Sequence, residues 1–158
     1  MADEERSVET AWVIRKLRRE DAASVKSVLQ GAPEAADWPE ESFGEALSWS
    51  GGVALVSEAD GVVTGFLIGR RAEEDAEILN LGVVASTRRA GLGSALLRAA
   101  LEEFRTRGVT RVFLEVRESN APGISFYAKH GFAEMGKRRG YYRVPEEDAV
   151  LMEKKLTD

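Results

Sequence analysis

Leu79–Phe104 reads LNLGVVASTRRAGLGSALLRAALEEF, and this stretch decides the fold. Leu79 to Val84 is a short, nearly continuous apolar run, the pattern of a strand covered on both faces. From Gly91 onward the period changes. Leu92, Leu96/Leu97, Ala100/Leu101 and Phe104 recur at helical spacing, while Ser94, Arg98, Glu102 and Arg105 fall on the wet face. Gly108 is a natural stop. Between strand and helix stands Arg88-Arg89-Ala90-Gly91-Leu92-Gly93. Two glycines let backbone N–H groups approach a ligand closely, and a helix start adds unpaired donors and partial positive charge. Two arginines add full charges. By itself the segment has two readings: a tight turn, or a cradle for a phosphate or pyrophosphate.

Working outward, Ala11–Leu17 (AWVIRKL) reads as a first strand, preceded by a tail over residues 1–8 expected to be loose. Ala22, Val25 and Val28/Leu29 carry helix spacing that ends near Gly31 and Pro33. Asp37–Trp49 (DWPEESFGEALSW) suggests a second short helix with Pro39 near its start. Gly51 to Val84 reads as three consecutive strands, with Asp60-Gly61 as a hairpin signal. Arg111–Glu118 (RVFLEVRE) is a buried strand, and Ser119–Gly131 a short helix with Pro122 in its first turn. Two strands around a polar loop finish the chain. The order is strand, two helices, three strands, helix, strand, helix, two strands. That is α+β with one strand–helix–strand crossover.

Composition narrows the function. The 158 residues are expected to form a single domain, 1–158. The absence of cysteine excludes disulfides and thiolate chemistry, and one histidine, His130, excludes a His-rich metal site. No metal is expected. A net charge of −5 argues against a nucleic-acid grip, and no apolar run approaches the roughly 20 residues that span a bilayer. The acidic, polar start does not read as a secretory signal, so the cytoplasm is the expected compartment. Two nucleotide motifs are missing: there is no G-x-x-x-x-G-K-[ST], and no G-x-G-x-x-G followed by an acidic residue closing a later strand.

A second signal is Glu115, set between Leu114 and Val116 in the buried strand. Either it faces solvent, or pairs with Arg117 or a neighbouring arginine, or it is a general base. A carboxylate partly withdrawn from water holds a proton more readily and serves a base's role near neutrality. Tyr127 follows on the short helix. A phenol of pKa about 10 carries its proton at pH 7 and can give it to a departing thiolate of pKa about 8.5. The other reading makes Tyr127 a core aromatic beside Phe126.

Arg88–Gly93 matches the R/Q-x-x-G-x-G/A signature of the GNAT acyltransferases, and the chain resembles that family. The resemblance implies a GNAT fold: a central, mixed, twisted sheet of about seven strands, splayed between the fourth and fifth and flanked by about four helices. It implies acetyl-CoA as co-substrate, with the pyrophosphate at Arg88, Arg89, Ala90, Gly91, Leu92, Gly93 and Ser94 and the pantetheine arm along Leu81, Gly82 and Val83. Leu114–Phe132 (LEVRESNAPGISFYAKHGF) is similar to a stretch of the ribosomal-protein-alanine N-acetyltransferases, a subgroup in which the glutamate is the base, the tyrosine the acid and the asparagine a cofactor contact. These roles fall on Glu115, Tyr127 and Asn120. Arg138–Met152 resembles the subgroup's tail and brings Tyr141 and Tyr142 near the acceptor; DWPEESF resembles its element on the amine side.

The sequence departs from the family at Val84–Thr87, where Asp-Pro and an aromatic are usual, and at Pro122-Gly123, where alanines are usual. The expected reaction is acetyl transfer to a protein N-terminal α-amine, a ribosomal-protein alanine being the first choice. Acetylation of a lysine or small amine is the alternative within the enzyme class, and a non-catalytic acyl-CoA-binding module the alternative outside it. Carboxylates at Glu40, Glu41, Glu45, Glu146, Glu147 and Asp148 either form solvated faces or attract a cationic peptide. Nothing in the sequence selects monomer or dimer.

Overall fold

A computed structural model describes residues 12–33, 35–84 and 91–156. The expected tail at 1–8 lies outside them, as do Arg88, Arg89 and Ala90. The order of elements is β1 (Val13–Lys16), a 3-10 turn (Arg19–Asp21), α1 (Ala22–Gln30), α2 (Glu40–Ala46), β2 (Gly52–Ala59), β3 (Val62–Ala72), β4 (Asp75–Val83), α3 (Leu92–Thr106), β5 (Arg111–Arg117), α4 (Ala121–Lys129), β6 (Ala133–Arg143) and β7 (Glu146–Lys155). The strands form one mixed sheet in the order β1-β2-β3-β4-β5-β7-β6. Every pairing is antiparallel except β4 with β5. Among the described residues this makes seven strands and four α-helices, the GNAT architecture that the resemblance implied.

Alternation along the strands sorts side chains onto two faces. Val53, Leu55, Leu67, Ala76, Ile78, Val112, Leu114, Val116 and Met152 meet Leu92, Leu96, Leu97, Ala100 and Phe104 of α3 in one core. Val56, Phe66 and Ile68 point the other way and meet Val25, Val28, Leu29 and Phe43 of α1 and α2 in a second core. Leu96, Leu97 and Ala100 are fully buried, as the helical spacing required. With α3 on one face and α1 and α2 on the other, the central strands are covered on both sides and read as apolar runs.

The start of α1 is fixed by charge. Asp21 is buried and accepts from both terminal nitrogens of Arg15, at 2.8 and 3.0 Å, and from the Arg18 N–H at 2.7 Å. Arg15 also reaches Glu58 of β2 at 2.9 Å. This ties β1, the 3-10 turn and β2 into one corner.

Candidate active site

The parallel pairing of β4 with β5 is short: Asp75–Arg111, Ala76–Val112 and Glu77–Phe113. Beyond Glu77 the two strands part, while β4 stays paired with β3 to Val83 and β5 stays paired with β7 to Arg117. On β4 the opening coincides with a bulge. Gly69 faces Ile78 and Ile68 faces Asn80, which leaves Leu79 as the extra residue. Bulges of this kind bend a strand and re-aim its side chains.

One wall of the opening is backbone. Val84 donates its N–H to Thr64 on β3 at 2.9 Å. N–H directions alternate along a strand, so those of Val83 and Leu81 point the opposite way, into the gap. Gly82, between them, carries no side chain because a Cβ there would stand 2.8 Å from the Phe66 ring. At the end of the gap α3 begins. Its N-cap, Gly91, sits at φ 84° in the left-handed region and offers no side-chain acceptor of its own. The N–H groups of a helix's first turn lack intrahelical partners, and such an end suits an anion. Ser94 bonds His130 through Oγ···Nε2 at 2.9 Å, and Phe126 packs 4.9 Å from the His130 ring. Burial, followed by the charges of Arg98, Lys154 and Lys129, pushes the His130 pKa down. Asn120 caps α4, its Oδ1 accepting from Gly123 N–H at 3.0 Å, so that oxygen already has a structural partner.

The other wall carries the carboxylates. Leu114 and Val116 face the α3 core, so Glu115 faces the α1–α2 side of the sheet. Its side chain is only 10% exposed and accepts from Arg138 Nη1 at 2.9 Å. The ion pair anticipated for Glu115 thus exists, but with an arginine of β6. Arg117 instead bonds Glu147 at 3.2 Å and the carbonyls of Val144 and Pro145. Arg138 lies over the Tyr141 ring at 4.7 Å, and Tyr141 stacks edge-on with Tyr142 at 5.0 Å. Both tyrosines are aimed by a bulge in β6, where Arg138 faces Ala149 and Tyr142 faces Glu147. Burial, then Glu115 and other neighbours, raises the Tyr141 pKa. Burial, then Tyr141 and Glu115, pushes the Tyr142 phenol up to about 12.

Tyr127 approaches from the α3 side. It packs edge-on against Phe126 at 5.2 Å and Phe132 at 5.6 Å, beside the larger core. Burial holds its phenol well above the ordinary value, with a smaller contribution from Tyr142. Of the expected acceptor-side carboxylates, Glu147 accepts from Ser119 N–H and Asp148 from Gly140 N–H at 2.9 Å, so both hold the end of the sheet together. Glu40, Glu41 and Glu45 are exposed on α2.

Sequence reasoning missed three contributors. Asn80 is 4% exposed, and its amide takes Ala36 N–H at 3.0 Å and gives to Ala36 C=O at 2.9 Å, pinning the α1–α2 connection to β4. Arg138 was read only as part of a motif. Glu77, half-buried on the last paired rung, lines a cavity of about 430 Å³ with Trp38, Trp49, Arg70, Leu79 and Phe113. The signal for Glu77 was the one used for Glu115: a charge between two apolar residues, Ala76 and Ile78, of a strand.

Comparison with known proteins bears on the family and the fold. The model of the acetyltransferase (GNAT) family matches residues 16–132. The [ribosomal protein bS18]-alanine N-acetyltransferase of Salmonella typhimurium is 33% identical over 138 residues, covering 80% of this chain and 93% of its own. An N-alpha-acetyltransferase of Sulfurisphaera tokodaii is 32% identical over 153 residues, covering 88% and 90%. The crystal structure of the ribosomal-protein-S18-alanine N-acetyltransferase from Escherichia coli superposes with a TM-score of 0.84 at 31% identity, over 94% of this chain and 96% of that one.

Proposed function

The chain belongs to the GNAT acetyltransferase family and is an acetyl-CoA-dependent N-acetyltransferase; from that premise we propose that its acceptor is the N-terminal α-amine of a protein, a ribosomal-protein alanine first. The observation that carries this reading is Glu115: a nearly buried carboxylate, oriented by Arg138, on the face of the strand opening away from α3. The chemistry of an α-amine suits that position. Its pKa of about 7.7–8.0, against about 10.4 for lysine, gives far more neutral nucleophile at pH 7.

In the proposed reaction the edge of β4 at Leu81, Gly82 and Val83 holds the pantetheine arm. Arg88, Arg89, Ala90, Gly91, Leu92, Gly93 and Ser94 hold the pyrophosphate, and Asn120 adds a cofactor contact through the part of its amide not used as a cap. The Val83 N–H polarises the thioester carbonyl. Tyr141 and Tyr142 wall the acceptor's approach. Glu115 takes the proton from nitrogen as the tetrahedral intermediate forms. Tyr127, fully protonated at working pH, gives its proton to sulfur as the C–S bond breaks. Because its pKa is raised by burial, that transfer belongs to the moment when negative charge has collected on sulfur. The compartment proposed for this activity is the cytoplasm; among the described residues no helix is long and apolar enough to cross a membrane.

The experiment is turnover with acetyl-CoA across three acceptor classes: peptides with free N-termini, peptides with a blocked N-terminus and free lysines, and polyamines. Activity confined to free N-termini, highest for alanine, supports the reading. Acetylation of lysines or polyamines with N-termini untouched replaces it with the lysine or small-amine alternative.

A further inference from the structure

His130 is the chain's one histidine, and no step of the acetyl transfer uses it. It closes α4 at the C-cap position. Its ring packs on Phe126 of the same helix at 4.9 Å, and its Nε2 stands 2.9 Å from Ser94 Oγ on α3. Phe126 in turn backs the start of α3, its ring edge 3.5 Å from where a Cβ at Gly93 would stand. Helix α4 thus seats an imidazole against the first turn of α3, on the hydroxyl of Ser94.

The charges acting on His130 are cations from three elements: Arg98 on α3, Lys154 on β7 and Lys129 on α4. Lys154 Nζ lies 2.5 Å from where a Cβ at Gly131, the next residue in the chain, would stand. Among the described residues none of the three lies in an ion pair, although the chain carries a net charge of −5. Burial, then these cations, holds the His130 pKa below its ordinary 6.5, so the ring is mainly neutral at pH 7. An anion brought to the same place reverses that balance and favours the imidazolium.

We propose that His130 is a positioning residue for the cofactor: as CoA binds it takes up a proton, donates from Nε2 to Ser94 Oγ, and so turns the serine O–H toward the pyrophosphate. The proposal rests on the reading that the pyrophosphate lies at Arg88–Ser94. A serine hydroxyl has one hydrogen to give. A neutral ring with its N–H on Nδ1 takes that hydrogen at Nε2, and Ser94 then turns lone pairs to an anion. The imidazolium carries an N–H on both nitrogens, so Nε2 donates, Oγ accepts, and the serine hydrogen is free for a phosphate oxygen. The pKa of His130 is therefore higher with cofactor bound than without. CoA affinity is greatest below the free value and falls as pH rises through the bound one. The fall is about tenfold for each unit by which the cofactor raises the pKa.

The test is calorimetric titration with dephospho-CoA from pH 5.5 to 8.5, in the wild type, His130→Gln and His130→Leu. This probe keeps the pyrophosphate and lacks the phosphate monoester, whose own pKa of about 6 would titrate in the same window. Wild-type affinity should fall about tenfold across the range, and both variants should lose that slope. Glutamine keeps an N–H donor for Ser94 without titrating, so His130→Gln should bind about threefold or more tightly than His130→Leu at every pH. A flat wild-type profile, the wild-type slope in either variant, or equal affinity in the two variants overturns the proposal. If His130→Leu does not fold, proton uptake decides. Binding heats at pH 6.5 in two buffers of different ionisation enthalpy should show more uptake by wild type than by His130→Gln, and equal uptake overturns the proposal. Failure of the pyrophosphate reading is seen separately, as wild-type affinity in Gly91→Val.

Discussion

Arg138 of β6 reaches across β7 to donate a 2.9 Å hydrogen bond to Glu115 of β5, and its side chain is 59% exposed where that of Glu115 is 10% exposed. The pair therefore shows solvent the arginine and keeps the carboxylate against the opening between β4 and β5. This geometry fixes Glu115 in orientation.

Removing that donor has two expected consequences. Arg138→Gln should lower kcat/KM by about threefold to tenfold, a modest loss because the arginine is largely solvated. It also deletes the positive charge that opposes burial and Glu115 at Glu77, so the Glu77 pKa rises further. Unchanged kcat/KM would show that Glu115 keeps its orientation without this donor.

At the cofactor end, Gly91→Val places a branched side chain at φ 84°, a conformation that costs an L-residue about 1–2 kcal/mol. Gly93→Phe drives a ring toward Phe126, whose edge already stands 3.5 Å from a Cβ built at Gly93. Both variants should lose CoA affinity by tenfold or more while circular dichroism still reports a folded chain. Unchanged affinity in a calorimetric titration would show that the pyrophosphate binds elsewhere.

Asn80→Leu removes both bonds to Ala36. The expected cost is about 1–2 kcal/mol of stability, since the backbone groups released are partly within reach of water. The α1–α2 connection that carries Trp38 would lose its anchor on β4. Peptide KM should rise several-fold while CoA affinity stays at its wild-type value. Equal losses toward both substrates would make Asn80 a general packing residue.

Asp21 gives the acid limit of stability. Two bonds from Arg15, then the Arg18 N–H, hold its folded pKa below the ordinary carboxylate value of about 4. Its contribution is complete above that value and is lost as pH falls through the folded one. Asp21→Asn should lower the neutral-pH Tm and flatten its decline between about pH 5 and 3. A decline as steep as wild type would assign acid unfolding to other carboxylates.

Much of this was legible in the sequence because it rests on local periodicity. The shift from the Leu79–Val84 run to the Leu92–Phe104 helix spacing fixed the parallel crossover, and the charge between Leu114 and Val116 marked Glu115. Asp60-Gly61, Pro39 and Pro122 punctuated the elements as turn chemistry requires. What was not legible depends on pairing at a distance. Arg138 meets Glu115 only because β7 returns between β5 and β6. The bulges at Leu79 and around Gly140 that aim the site's side chains leave no pattern in a strand's composition. Asn80 is a polar residue in an apolar run, and its partner, a backbone 44 residues earlier, cannot be read from either segment. His130, expected at a helix end, is there, but its bond to Ser94 required α4 to pack on α3.

The most direct measurement is steady-state turnover of Glu115→Gln with a free N-terminal alanine peptide, from pH 6 to 9.5, alongside CoA affinity. The substitution keeps the side chain's shape and removes its capacity to take a proton. The account expects kcat to fall by about 10²–10⁴-fold at every pH, with CoA binding unchanged. Wild-type turnover across that range would contradict it, and would return Glu115 to the role of Arg138's structural partner.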